Sequence, residues 1–270
     1  MSADTLAAVL GLAVVHRAIA ALLITGVAMP VVGVFIIGLD VVTMRFAMMH
    51  VALLGVAVGL MTGFDPTACA VLLCAAAGAS LAPFAGRRDG LSGPMVMLMT
   101  MAIAAALLVL SISGVNAAGA FELLWGSLLA VGMRELVLVA VLAVAVLAIY
   151  LGFRRPLALL LFDIELARCS GVRVEALATL LLVTVAVAVA AALPLTGALL
   201  VDAVTLLPAL SARNLARSFD GMVGLSMVFG LVGNSVGFVI ALLVDLPLGP
   251  ILVLTAGAIT LLTFVVGRKR

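Results

Sequence analysis

The chain has 270 residues, of which 67% are hydrophobic and 10% charged, with a formal net charge of +2. So little charge cannot coat a single water-soluble core of that size, whereas a bilayer removes the need for a polar exterior. No polar stretch is long enough for a separate soluble domain, which excludes a built-in nucleotide-binding module, and the small positive balance offers no footprint for nucleic acid.

Taken in chain order, Leu6–Val15 is apolar but too short to span, and either lies at the interface or extends the first helix. The beginning of the chain has no basic run and no clean small-residue cleavage site, so no removable signal peptide is expected. A helix needs about 20 apolar residues to cross hydrocarbon. Nine segments meet or approach that length: Ala18–Leu39, Met44–Met61, Thr67–Ala85, Pro94–Ser113, Glu135–Phe153, Ala176–Leu195, Ala198–Ala212, Gly221–Val244 and Leu248–Gly267. The seventh is short and carries Asp202 and Pro208, which makes it a candidate for a tilted, broken or partly inserted helix. The expected fold is an all-α polytopic membrane protein, one transmembrane domain over residues 1–270.

Lys and Arg set the orientation. Alternate threading of the nine segments collects Arg45, Arg87, Arg88, Arg154, Arg155, Arg168, Arg173, Arg213, Arg217 and the terminal Arg268-Lys269-Arg270 on one side, against Arg17 and Arg134 on the other. The richer side is expected to be cytoplasmic, with the N-terminus outside and the C-terminus inside. Gly and Pro mark the turns at Phe64-Asp65-Pro66, residues 90–94 and residues 245–249. Gly55 with Gly59, and Gly233 with Gly237, stand at the four-residue spacing that lets helix backbones approach. Cys69, Cys74 and Cys169 are an odd number without a CxxC pair, which argues against a disulfide framework.

Two loops are longer. Residues 114–134 hold the amphipathic Phe121-Glu122-Leu123-Leu124-Trp125-Gly126-Ser127-Leu128, with the chain's one Trp, a residue that favours the interface. In residues 154–175, Phe162, Glu165, Leu166 and Cys169 fall near one helical face, Asp163 is placed to cap the start, and Gly171 to end it. The pattern predicts a short cytoplasmic helix with an apolar stripe.

That loop, Phe162-Asp163-Ile164-Glu165-Leu166-Ala167-Arg168-Cys169-Ser170-Gly171-Val172, resembles the cytoplasmic coupling segment of the integral-membrane permeases of bacterial metal-ion ABC importers, the zinc/manganese/iron type. Leu123 to Val131 looks like the family's outer-loop motif, Gly197 to Ala209 like its segment with a central Pro (here Pro208), and His50 to Gly59 like its second helix. The order along the chain agrees, from about residue 18 to the end. The resemblance implies a bundle of about eight or nine transmembrane helices in the bacterial inner membrane, a second permease copy as homodimer partner, a cytoplasmic ATPase subunit and an extracytoplasmic metal-binding protein. It implies no permanently bound cofactor, the divalent metal being cargo. Phe162, Asp163, Glu165, Ala167 and Gly171 would couple to the ATPase; the alternative is an interfacial helix lying on lipid.

A divalent cation needs ligands inside the membrane, and the chain offers few. Asp202 is the acidic residue well inside a segment and His50 the histidine inside one. Carboxylate and imidazole both suit such ions. One of each per copy, doubled by a dimer, would make four ligands. Members of the family usually carry an Asp one turn before the second-helix His, where this chain has Phe46. Asp202 is therefore a candidate replacement for the lost carboxylate. The plainer readings are a His bonded to a backbone carbonyl and an Asp that caps a broken helix. Asn234 and Ser235 either line the path or hold helices together. Met44, Met48 and Met49, and Met95, Met97, Met99 and Met101, spread around their helices rather than converge, and read as packing or lipid-facing residues rather than a copper site. His16 and Arg17 suit a solvated boundary. No nucleophile–base set, P-loop or dinucleotide motif is visible, so no enzyme is expected. Competing functions are a permease for chelates or another small solute, a proton-coupled secondary transporter with Asp202 and His50 as relay, and a membrane scaffold.

Overall fold

The computed structural model describes residues 13–85, 91–114, 132–244 and 246–268, and the elements below belong to those residues. They form nine α-helices and no strand: α1 (Ala13–Gly38), α2 (Val42–Thr62), α3 (Pro66–Leu81, continued by a 3-10 turn at Ala82–Phe84), α4 (Ser92–Ser113), α5 (Met133–Phe162), α6 (Ile164–Cys169), α7 (Val174–Leu215), α8 (Phe219–Val244) and α9 (Leu248–Gly267). The segment containing Trp125, most of Leu6–Val15, Arg87, Arg88, Asp245, Lys269 and Arg270 lie outside the described residues.

Eight helices are long and apolar enough to cross a membrane: Val14–Gly38, Val42–Thr62, Pro66–Phe84, Ser92–Ser113, Met133–Phe162, Val174–Ala198, Phe219–Val244 and Leu248–Gly267. They correspond to eight of the nine expected segments. The sixth and seventh segments are joined in α7, a single run of 42 residues with non-helical geometry at Gly197. The arm after that break is helical but is not among the eight spans. A φ of 71° with ψ of 162° is a conformation that essentially only glycine adopts, so the break sits where the sequence allows it. Phe153 similarly interrupts α5, three residues before Pro156.

Local chemistry fixes several ends. Asp65 caps α3 by accepting from the Ala68 amide at 2.8 Å, with Pro66 in the first turn where its missing N–H costs nothing. Gly63 and Gly114 close α2 and α4 in the left-handed region.

The chain divides into two compact units. The first comprises Met1–Val34, Gly126–Leu147 and Leu195–Arg270. Its buried cluster joins Ala21, Val139 and Leu195, with Ile24 and Leu136 packed on it. Here α1 meets α8 almost backbone to backbone. A Cβ built on Gly26 would lie 3.2 Å from the Gly230 carbonyl oxygen, and one on Gly230 would run into Gly26 and Pro30. Gly33 likewise faces Thr205 and Ala209 of α7. Buried Asn234 donates from Nδ2 to the Leu22 carbonyl at 2.8 Å, tying α8 to α1. The Leu207 carbonyl accepts from the hydroxyls of Ser211 (2.9 Å) and Thr260 (3.1 Å), which links α7 to α9. That carbonyl lies next to Pro208, whose ring withholds a backbone donor from the helix.

The second unit comprises Phe35–Trp125 and Ala148–Pro194, and in it α2 packs on both α3 and α4. Gly55 and Gly59 line the α2–α3 seam. A Cβ on Gly55 would overlap Ala70, and one on Gly59 would stand 2.7 Å from the Pro66 Cα. The four-residue glycine spacing is thus a packing device here. Cys74 donates its thiol to the Met48 carbonyl at 3.4 Å, and the Thr43 hydroxyl reaches the Met95 sulfur at 3.1 Å. Met44, Met48 and Met95 are buried packing residues, whereas Met97 and Met101 are exposed on α4. Large apolar side chains such as Leu72, Ile112, Val144, Leu254 and Leu261 are also exposed, as expected where lipid is the solvent.

Candidate functional site

His50 lies two turns into α2, half-buried. Its Nδ1 stands 2.7 Å from the Phe46 carbonyl oxygen one turn earlier. A carbonyl only accepts, so Nδ1 carries the proton, and in the neutral ring Nε2 keeps a lone pair for a cation. The backbone bond and the ligand reading therefore coexist: one nitrogen is anchored and the other is available. The Phe46 side chain, where the family resemblance leads one to expect Asp, is exposed and cannot share a cation with His50 as a carboxylate would.

Arg45, beside it, was expected only as a topological charge at the membrane edge. It is 6% exposed, and its guanidinium carbon lies 4.6 Å from the centre of the Phe46 ring. That separation is within cation–π range. The sequence signal was the bare adjacency of Arg and Phe in a first helical turn, too common to single out.

Asp202 is half-buried in the second arm of α7, flanked by buried Val201, Ala203 and Val204. It lies five residues past Gly197, inside the arm rather than at its N-cap, so it does not cap the break. Pro208 is buried further along the same arm. His50 belongs to the second compact unit and Asp202 to the first. Among the described residues no three His, Cys, Asp or Glu side chains gather as a metal cage. Asn234 is engaged by the Leu22 carbonyl, a helix-packing role, while Ser235 is exposed.

The short helix α6 is built by its own caps. The Asp163 Oδ1 accepts from the amides of Glu165 at 2.8 Å and Leu166 at 3.0 Å. At the other end Gly171 takes φ 79°, and the Val172 amide returns to the Ala167 carbonyl at 3.1 Å. Together these hold a helix of six residues that would be too short to persist alone. Ala167 is fully buried within the second unit. Phe162 (82% exposed), Leu166 and Cys169 are turned outward. Glu165 and Arg168 pair across one turn at 3.6 Å, in solvent. The arrangement presents an apolar knob beside a charged pair, anchored from beneath by a small side chain.

Comparison with known proteins agrees with this architecture. The chain is 26% identical over 257 residues to the manganese transport system membrane protein MntC of Halalkalibacterium halodurans, covering 94% of this chain and 88% of that protein. It is 22% identical over 246 residues to the high-affinity zinc uptake system membrane protein ZnuB of Haemophilus influenzae, covering 89% and 94%. With the manganese import system permease protein ScaB of Streptococcus pneumoniae it shares 31% identity over 150 residues, 56% of this chain and 54% of that one. Among solved structures, PsaBC from Streptococcus pneumoniae in complex with Fab has the same fold, with a TM-score of 0.82 at 24% identity over 98% of this chain and 95% of that chain. The ABC 3 transport family matches residues 12–267, from the start of α1 to the last residue of α9, and the chain belongs to that family.

Proposed function

We propose that this chain is the membrane-spanning permease subunit of an ATP-driven importer of divalent metal ions. The observation that carries the reading is the family match over residues 12–267, supported by relatives named for manganese and zinc transport. A separate cytoplasmic ATPase drives the cycle through the outward face of α6, where Phe162 and Leu166 enter a groove and Asp163 and Gly171 keep the helix formed. Glu165 stands at the rim of that contact, and Ala167 keeps the helix seated. An extracytoplasmic binding protein delivers the metal, and a second permease copy completes the pore. The Lys and Arg distribution supports an outer N-terminus and a cytoplasmic C-terminus, an orientation that requires residues 198–215 to cross.

His50 through Nε2 and Asp202 through its carboxylate are the metal ligands of the path, with Asp202 supplying the negative charge that Phe46 no longer does. One nitrogen and one oxygen ligand per copy suit zinc, whereas manganese favours oxygen. The manganese names among the relatives pull the other way, so the two ions are the cargo to compare.

The test is uptake of radiolabelled manganese and zinc into vesicles holding the permease, its ATPase and its binding protein. ATP-dependent uptake is expected, with Asp202→Asn and His50→Ala each lowering it roughly 10–100-fold while the complex still assembles. Uptake driven by a proton gradient without the ATPase would overturn the importer reading. Unchanged uptake in the Asp202→Asn protein would remove that residue from the path.

A further inference from the structure

The second arm of α7 lies in the first compact unit together with the parts of α1 and α9 that touch it, and its flanks can be assigned one by one. Thr205 and Ala209 face α1, where both back onto Gly33. Ser211 and Asn214 face α9, with the Ser211 hydroxyl 3.0 Å from that of Thr260 and the Asn214 amide 3.4 Å from that of Thr263. The Leu207 carbonyl accepts from Thr260 on the same side. At about 100° per residue these two flanks stand on opposite sides of the arm. Of the two flanks between them, one carries Val201, Val204, Pro208 and Ala212, all buried. The other carries Asp202, Leu206, Leu210 and Arg213, spaced four, four and three residues apart. Here Asp202 and Leu210 keep part of their surface open, Leu206 is 8% exposed, and Arg213 is exposed.

A half-open carboxylate inside a membrane segment does not face hydrocarbon without a large cost, so this flank meets water or protein. Leu206 and Leu210 follow Asp202 on it, about 6 and 12 Å further along the axis, before Arg213 marks the water-exposed end. In the orientation proposed above they lie on the cytoplasmic side of the carboxylate. A narrow ring of leucines expels water, and a divalent cation that must keep ligands or hydration does not pass it. We propose that Leu206 and Leu210 are the cytoplasmic gate of the ion path, each facing its counterpart in a second copy of this chain. The gate holds the cation at Asp202 until the ATPase draws the two copies apart and the ring wets. The proposal deepens the permease reading and rests on it, on Asp202 lining the path and on residues 198–215 crossing.

The test uses vesicles holding the full permease–ATPase complex and a trapped metal-sensitive dye, with manganese or zinc ions added outside and no ATP. The unaltered complex is expected to admit metal no faster than empty vesicles. Leu206→Ser and Leu210→Ser each raise this passive entry about tenfold, because a hydroxyl wets the constriction. Leu206→Met and Leu210→Met keep the ring apolar and stay closed, as does Leu207→Ser on the α9 flank. Serine variants as tight as the unaltered complex would overturn the proposal, and so would a Leu207→Ser protein that leaks as fast as they do. Escape of the trapped dye from the serine variants would overturn it too, by showing a torn bundle rather than an opened gate. A second measurement does not depend on the serine variants folding. Leu210→Cys treated with a copper oxidant is expected to form a cross-linked dimer, whereas Leu207→Cys, with the same Cys69, Cys74 and Cys169, is not. No cross-linked Leu210→Cys dimer would overturn the facing pair. ATP-driven uptake by the unaltered complex reports separately on the importer reading. Uptake with ATP but no leak in the serine variants removes the gate alone, and a leak without ATP-driven uptake removes the importer alone.

Discussion

Adding one methyl group at Gly55 tests whether the α2–α3 seam is as close as the structure shows. A Cβ there would overlap the Ala70 Cα and stand 2.7 Å from the Ala70 nitrogen and 2.9 Å from the Cys69 carbonyl carbon. All three are backbone atoms and cannot rotate aside. Comfortable carbon contacts need about 3.5–4.0 Å, so α3 must retreat by roughly 1 Å along the seam. That retreat reaches Gly59, whose own added Cβ would stand 2.7 Å from Pro66, and it loosens packing over the whole contact. Against backbone that cannot move aside, the cost lies at the upper end of the usual range for overpacking, about 3 kcal/mol, and the roughly 1 kcal/mol that Ala gains over Gly as a helix former offsets only part of it. Gly233→Ala is the internal control. It is also mid-helix, but its Cβ would meet the Ile259 side chain at 3.7 Å and the Ala256 Cβ at 4.0 Å, ordinary contacts. Purified variants in detergent, heated and scored by the fraction that stays monodisperse, provide the assay. At about 2–4 °C per kcal/mol, Gly55→Ala should lower the midpoint by several degrees, and Gly233→Ala should leave it unchanged or raise it. A Gly55→Ala protein as stable as its parent would refute the seam geometry. Equal losses in both variants would show that neither glycine acts through the contact described.

Two further substitutions probe local devices. Asp163→Ala removes the acceptor for the Glu165 and Leu166 amides, a loss of about 1 kcal/mol confined to α6. Hydrogen exchange should quicken over residues 164–169 while the melting midpoint barely moves, and unchanged protection there would show that the cap does not hold the helix. Gly197→Ala places a Cβ on backbone at φ 71° and ψ 162°, at a cost of about 1–3 kcal/mol, so the melting midpoint should fall. An unchanged midpoint would show that the α7 break relaxes freely.

What the sequence made legible, and what it concealed, divides along the range of the forces involved. Membrane spans are dictated by a local rule, enough consecutive apolar residues to cross hydrocarbon, and eight expected segments became candidate spans. The caps of α6 were equally readable, because Asp163 and its amide partners are two and three residues apart. The break in α7 was readable as a boundary near residue 197 but not as one continuous helix, since a single glycine torsion joins arms that apolarity alone divides. The Gly26–Gly230 and Gly33–Thr205 approaches were not readable, nor was the bond from Asn234 to the Leu22 carbonyl across 212 residues. No neighbouring residue signals such partners; only the packed helices bring them together.

Arg45 shows the same limit with a charge. A basic residue in the first turn of a helix after a polar turn reads as a membrane-edge anchor, and its burial over Phe46 depends on helices that the local pattern does not mention. The candidate metal ligands lie between these extremes. His50 anchored to the Phe46 carbonyl is a four-residue relation and could be anticipated. The partnership with Asp202 was suggested by scarcity alone: a lost carboxylate at one position and a gained one at another. Scarcity is a strong argument inside a membrane, where each ionisable group carries a desolvation cost and persists only with a compensating role. It singles out His50 and Asp202 as candidates for the ion path, and for that reason the Asp202→Asn uptake measurement, with assembly checked alongside, bears more directly on the proposed function than any further reading of the helices.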